Sequence, residues 1–260
     1  MVNSSRISAQ AIAGQAFAIA VVALLVTGWW LTARGMPSYI LPGPLDVLKR
    51  LSDFVLNSDL LYHMGVSFLR VGFSVFCALA LAVVLGLMSH ASPVVAAVVE
   101  KPVLTFLNSF PAVGWAILGI IWFQVSDATI IFIQVAIILP FCLINVLQGF
   151  SLIDADIDEL GRSLSRSRWR RFTRITLPLI MPFLIAGLRI AYGICWKIAL
   201  VSELFGSTSG LGYVMMQAQT NSDGATVFAT CLVIVLIFAL VDRLLFRPLA
   251  RRYSVNAGRA

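Results

Sequence analysis

The sequence predicts an all-α integral membrane protein with about six transmembrane helices and a cytoplasmic loop between the fourth and fifth. Three observations predict it. Hydrophobic residues make up 60% of the 260 and charged residues 12%, against about 45–50% and 25% in a soluble domain. The apolar residues gather into runs of about 20, the length that crosses a bilayer, where backbone groups are satisfied only within a helix or a closed barrel. The charge, in turn, is concentrated: residues 156–178, DIDELGRSLSRSRWRRFTRITLP, carry six arginines between two apolar runs.

The chain reads as a single membrane domain, residues 1–260, and its elements follow in order. A first span covers about 11–33, with Arg6 before it and Trp29 and Trp30 at its far end as interfacial anchors. Its apolar stretch exceeds the roughly 7–15-residue core of a signal peptide and no A-x-A site follows it. A loop with Pro37, Pro42, Gly43 and Pro44 leads to an external amphipathic helix over about 45–57. The second span is about 66–89. The third, about 95–122, contains Pro102 and Pro111, which predict a kink or a break because proline lacks the N–H and clashes with the preceding turn. The fourth, about 127–149, contains Pro140; the fifth covers about 179–203 and the sixth about 225–246.

Orientation follows from the basic residues, which collect on the cytoplasmic side. With the N-terminus inside, Arg6, Lys101, the six arginines of the loop and Arg243, Arg247, Arg251, Arg252 and Arg259 are all cytoplasmic. Only Arg34, Lys49, Arg50 and Arg70 fall on external segments, while Arg189 and Lys197 lie within the fifth span. The expectation is a multi-pass membrane protein with both termini and the charged loop cytoplasmic.

Several function classes are excluded. The net charge of +7 belongs to loops flanking spans, and no basic patch interleaved with aromatics stands on a soluble domain, so nucleic acid is not a partner. Cys77, Cys142, Cys195 and Cys231 sit in apolar runs without CxxC spacing and read as small hydrophobes. His63 and His90 are solitary, loop or interface residues, and no metal site is visible. No HExxH or GxSxG set occurs. No G-x-x-x-x-G-K-[ST] loop occurs either, so the chain has no phosphate cradle of its own; "GSTSGLG" (206–212) lacks the lysine and reads as a turn beyond the fifth span on the outer side.

The charged loop reads as two short helices. Asp156 caps the first with Glu159 three residues on, and Ile157, Leu160 and Leu164 form one apolar stripe. Ser167 caps a second helix carrying Trp169 and Phe172, before Leu177 and Pro178 open the fifth span. Such a pair either lies on anionic lipid or inserts into the groove of a partner.

The spacing resembles that of the permease subunits of binding-protein-dependent ABC importers. Those proteins carry a cytoplasmic "EAA" loop with a glycine six residues after the glutamate and a closing Ile-x-Leu-Pro. Measured from Glu159, Ser165 stands at the glycine and Ile175, Leu177 and Pro178 at the closing positions; Leu160 and Gly161 replace the two alanines. "LPGPLDVL" (41–48), "SFLRVGFSV" (67–75), "PAVGWAILGIIWF" (111–123), "RWRRFTRITLPLIMPFLIAGLRIA" (168–191) and "SELFGSTSGLGY" (202–213) look like the nitrate/sulfonate/taurine branch. A serine in a left-handed turn costs about 1 kcal/mol, so the turn at Ser165 is expected to differ in shape.

The resemblance implies a mechanism. Residues 154–178 would form coupling helices seated in cytoplasmic ATPase subunits, two of them, with ATP-Mg bound there and no cofactor in this chain. Glu159 would make the contact, or cap its own helix, or both; Leu160, Gly161, Leu164 and Ser165 would shape the contact, and Ile175, Leu177 and Pro178 would tie it to the fifth span. A second permease copy, giving a homodimer, and an external or periplasmic solute-binding protein complete the implied assembly, and a bacterial cytoplasmic (inner) membrane is the location that the resemblance implies. The competing reading is a self-sufficient secondary transporter or channel, which explains the spans but not the spaced loop.

The fifth span also holds charge. Intramembrane charges are costly and face a bundle interior or a watery cavity. Arg189, Trp196 and Glu203 lie on one helical stripe, but Arg189 and Glu203 are 14 residues, about 21 Å, apart and each needs a partner on another element. Arg189 is expected near the inner interface, snorkelling, and Glu203 near the outer one. Lys197 is the deepest; it either lines the path of a small anionic solute with Trp196, Glu203 and Arg189 or pairs structurally with another span.

Overall fold

In the computed structural model, residues 2–153, 159, 163 and 167–257 are described, and every regular element among them is a helix. They are α1 (Val2–Ala33), α2 (Pro44–Leu56), α3 (Ser58–Ala91), α4 (Pro93–Val98), α5 (Leu104–Ser109), α6 (Ala112–Phe123) and α7 (Asp127–Ser151), then α8 (Arg168–Arg171), α9 (Leu177–Gly206), α10 (Leu211–Thr220), α11 (Gly224–Val241) and α12 (Arg247–Ala257). Five stretches are long and apolar enough to cross a membrane: Gly14–Ala33, Ser58–Ala91, Asp127–Ser151, Trp169–Gly206 and Gly224–Tyr253. A sixth crossing would be the bent pair Pro93–Ser109 and Ala112–Phe123, which meet at 87°. The fold is therefore the all-α membrane architecture that the composition demands.

The bend has a local cause. Phe110, just before Pro111, is extended (φ −72°, ψ 126°), because the proline ring excludes the α region for the residue that precedes it. Proline also accounts for wide π turns elsewhere. Phe172–Thr176 joins α8 to α9 two residues before Pro178, and Asp242–Phe246 joins α11 to α12 two residues before Pro248. Each proline ring would strike the carbonyl four residues back, and the wider turn carries that carbonyl clear. A third π turn, Val99–Val103, contains Pro102.

The chain divides into two compact units: residues 1–60 with 215–233, and residues 61–214 with 234–260. In the smaller unit, Trp29 donates to the Pro42 carbonyl (3.1 Å) and stacks on Phe228 (centroids 6.0 Å). Asp223 caps α11 by accepting from the Thr226 amide (3.0 Å) and hydroxyl (2.6 Å), and Arg50 of α2 binds the same carboxylate at 2.7 Å.

The larger unit is built on the antiparallel pair α7 and α9. Small residues let the two backbones approach, as bilayer packing requires in the absence of a hydrophobic drive between helices. Gly149 meets Ile180 and Phe183, Gly187 meets Asn145, and Gly206 meets Thr129. Ile130, Ile138, Leu143 and Val146 of α7 and Ala191, Cys195 and Ala199 of α9 are fully buried along this seam. α3 closes on α7 through Gly86, which lies against Val146 and Phe150, and α6 through Gly119 against Phe132 and Ile133.

Candidate functional site

Three features of the larger unit are built for more than packing. The first is a cluster of charges where α7 begins and α9 ends. His63, Ser67 and Arg70 recur at i, i+4 and i+7 on α3 and so share one face. Glu203 of α9 is wholly buried and lies 3.1 Å from the Arg70 guanidinium. It also accepts from the Ser67 hydroxyl (2.7 Å) and the Gly212 amide (2.9 Å). Arg70 donates from Nε to Asp127 at the start of α7 (3.0 Å) and from its terminal nitrogens to the carbonyl and hydroxyl of Ser209 (2.8 Å each).

The turn from Ser207 to Gly210 is held by this cluster. Successive amides of Gly210, Leu211 and Gly212 donate to His63 Nδ1 (3.0 Å), Ser67 Oγ (2.7 Å) and Glu203. Those amides open α10, so the Glu203 carboxylate also meets the positive end of a helix. Gly210 has φ +105°, and a Cβ there would fall 2.5 Å from the Glu203 carboxylate. The sequence "SGLG" is thus dictated by the carboxylate beneath it.

The second feature is an ion pair farther along α9. Arg189 donates from Nε to Asp242 (2.6 Å), and Arg247 donates to the other oxygen of the same carboxylate (3.0 Å). Asp242 is buried, while Arg189 and Arg247 keep about half of their side chains exposed. Arg189 thus has the partner on another element that its charge requires: Asp242 neutralises it while about half of its side chain stays exposed.

The third is an apolar recess of about 330 Å³ on α6, α7 and α9, into which Lys197 opens. Lys197 is exposed and makes no hydrogen bond or ion pair with the described residues. Trp196, next to it, is buried and packs edge-on against Tyr192 (6.2 Å). The four charged and aromatic residues singled out on this span do not share a surface: Lys197 faces the recess, Glu203 the charge cluster, Arg189 the Asp242 pair and Trp196 the core.

In the charged loop, Glu159 is helical and exposed, while Leu160, Gly161, Leu164 and Ser165 lie outside the described residues. Ser167 caps α8, its hydroxyl accepting from the Arg170 amide at 3.4 Å. From Arg168 the helix runs without a break through the π turn into α9, so Leu177 and Pro178 lie inside one long helix and do not open a new one. Ile175 and Leu177 are half-buried and Pro178 is exposed.

Sequence reasoning missed Arg70, Asp127, Ser67 and His63 as a set. Arg70 was assigned to an external segment by counting charges, yet it is 6% exposed within α3. Its place inside the apolar "SFLRVGFSV" was the available signal, because a charge there demands a partner. His63, expected in a loop or at an interface, sits on α3 because that helix begins eight residues before the expected span.

Residues 78–255 match the family described as "Binding-protein-dependent transport system inner membrane component". A probable ABC transporter permease protein of Brucella melitensis is 30% identical over 221 residues, 85% of this chain and 89% of the relative. The taurine transport system permease protein of Escherichia coli is 28% identical over 244 residues, 91% of this chain and 88% of the relative. The nitrate import permease protein of Synechocystis is 23% identical over 235 residues, 87% and 84%. The chain therefore belongs to the binding-protein-dependent transport system inner membrane components and is a multi-pass permease subunit of an ABC importer.

Proposed function

We propose that this permease works as one of two identical copies driven by two cytoplasmic ATPase subunits, which hydrolyse ATP-Mg, and that it moves a small anionic solute inward from an external binding protein. The termini and residues 154–178 face the cytoplasm, in keeping with the basic residues gathered there. Taurine and nitrate, the solutes in the names of two relatives, are small and carry an anionic group, which suits a recess whose charge is Lys197.

The observation that carries this reading is the unbroken helix from Arg168 to Gly206. Glu159, just upstream, is the contact with the ATPase, and the helix that follows carries Lys197 and Glu203. A displacement of the loop by closing ATPases would thus reach the pathway through one rigid rod, with no hinge loop to absorb it. Leu160, Gly161, Leu164 and Ser165 complete the contact; Ile175, Leu177 and Pro178 bind it to the rod. Six crossings are few to enclose a path, so the recess faces its counterpart across the two-fold axis of a homodimer.

The test is purification of the tagged chain from its host beside a Glu159→Arg variant. An ATPase that accompanies the parent and is lost from the variant, while both reach the membrane equally, is the expected result. Equal ATPase recovery with both would overturn the role of Glu159.

A further inference from the structure

A cavity of about 330 Å³ lies where α3 and α7 end, at the opposite end of both helices from the Glu203 cluster. Ser89, His90, Glu100, Leu147, Phe150 and Ser151 are among the residues that line it. Ser89 is 5% exposed, and its hydroxyl has no hydrogen-bond partner among the described residues. A helical serine can bond the carbonyl one turn back; the Ser151 hydroxyl does so nearby, donating to Gln148 (2.9 Å). Ser89 keeps its hydroxyl for the cavity instead, and a buried polar group without a protein partner points to one that arrives from outside.

The other polar groups are equally uncommitted. Glu100 is exposed and makes no hydrogen bond or ion pair with the described residues. It stands on the π turn Val99–Val103, a turn type frequent at functional sites. His90 stacks on Phe150 (centroids 5.2 Å, 23° between planes), which holds the imidazole plane while its nitrogens stay unbonded among the described residues. Three elements, α3, the π turn and α7, thus bring one carboxylate, one imidazole and one buried hydroxyl to a single cavity, with no lysine or arginine among its described lining residues.

The charge of Glu100 disfavours an anion. A bare metal ion is a poor fit, since no group of three or more His, Cys, Asp or Glu side chains that could hold one occurs among the described residues. The cavity also has room for about ten waters, far more than one ion fills. A quaternary ammonium has no N–H to give Ser89. A primary ammonium has three, and the site offers three acceptors: the Glu100 carboxylate, the Ser89 oxygen and a neutral imidazole nitrogen. Leu147 and Phe150 supply apolar wall for the carbon that carries the charge.

We propose that this cavity binds a primary ammonium group, paired with Glu100 and accepted by Ser89 and His90, borne either by an ethanolamine phospholipid or by a free alkylamine. On the orientation proposed above, the site lies at the cytoplasmic ends of α3 and α7, just before the loop 154–178. Occupancy ties α3 and the π turn to the helix that leads into that loop.

The test is calorimetric titration of n-butylamine into the full chain in phosphatidylglycerol nanodiscs, with any ATPase that accompanies it, and with empty discs as the blank. Saturable binding is expected, and a hundredfold excess of tetramethylammonium should not displace it. Glu100→Gln should weaken it by about tenfold or more, and Ser89→Ala by a few-fold. His90→Phe keeps a ring on Phe150 and should also weaken it by a few-fold. Glu100 is exposed, so Glu100→Gln should fold as the parent does, which an unchanged melting temperature verifies. Discs containing phosphatidylethanolamine identify the source: suppressed butylamine binding assigns the site to the lipid headgroup, and unchanged binding assigns it to a soluble amine. No saturable binding above empty discs, equal displacement by tetramethylammonium or by phosphatidylcholine, or undiminished affinity in Glu100→Gln would each overturn the proposal and leave solvent in the cavity. The Glu159→Arg experiment reads the ATPase contact separately, so either idea can fail while the other stands.

Discussion

Glu203 and Arg189 lie on the same helix, and each is paired with an opposite charge, but the two pairs are built in opposite ways. Glu203 is fully buried and surrounded by Arg70, Ser67 and the Gly212 amide. Arg189 keeps 47% of its side chain exposed, and it is the carboxylate, Asp242, that is buried between two arginines. The difference follows from the side chains. An arginine has a long apolar stem and can carry its charge toward water, whereas a glutamate is too short to leave a helix seam. A buried carboxylate therefore needs a fixed set of donors, and backbone amides supply part of it. The lesson is that the Glu203 end is rigid by necessity and the Arg189 end is tolerant.

Breaking the rigid end should give the largest effect. Arg70→Ala leaves Glu203 buried without its cation, a change that typically costs about 3–5 kcal/mol. The melting temperature of the variant in nanodiscs should fall sharply, and the pair Arg70→Met with Glu203→Gln should recover part of the loss. A melting temperature for Arg70→Ala within a degree or two of the parent would remove the distinction between the two ends. Next in size is Gly210→Ala, which places a Cβ against the carboxylate at a left-handed φ; a cost of about 1–3 kcal/mol is expected. Hydrogen exchange should accelerate at the Gly210, Leu211 and Gly212 amides before anywhere else.

The tolerant end should respond weakly. Arg189→Gln leaves Asp242 its Arg247 partner at 3.0 Å, and half-exposed pairs contribute about 1 kcal/mol or less. A shift comparable to that of Arg70→Ala would show that the second arginine does not compensate.

The smallest effect belongs to Arg50 and Asp223 in the other unit. Burial opposes ionisation of Asp223, but hydrogen bonds from Thr226 and Arg50 outweigh it and hold the carboxyl below its ordinary range. A carboxyl depressed on folding stabilises above its unfolded pKa, about 3.9, and loses that contribution as pH falls through the folded value. Asp223→Asn should therefore melt slightly below the parent at neutral pH, with the gap closing below about pH 4. A gap that persists in acid would mean that the cap, not the charge, carries the stability.

Much of this was legible in the residues. The apolar runs coincide with helices long and apolar enough to cross a membrane, and Pro111 announced the bend between the two helices of the third run, because proline restricts its predecessor whatever the surroundings. The helix boundaries were less legible. "SDLLYHMG" is too polar to signal a crossing but helical all the same, since hydropathy reports where lipid begins and not where a helix does. The charge cluster was half visible: Glu203 demanded a partner on another element, but Arg70 was counted on an external segment and the pairing spans 133 positions. His63 looked solitary because its partner is a backbone amide, which every residue but proline has and no motif can mark.

The π turn at Phe172–Thr176 bears on how motion would pass along the long helix. A π turn is one residue of slack wound into an α-helix. Were it to tighten into α geometry, everything upstream would turn by about 100° and advance about 1.5 Å relative to Lys197 and Glu203. Pro178 opposes that slip, because its ring needs the Arg174 carbonyl held aside. The azimuth of Arg168–Arg171 around the helix axis is thus held by a proline, which works as a ratchet tooth against rewinding of the turn.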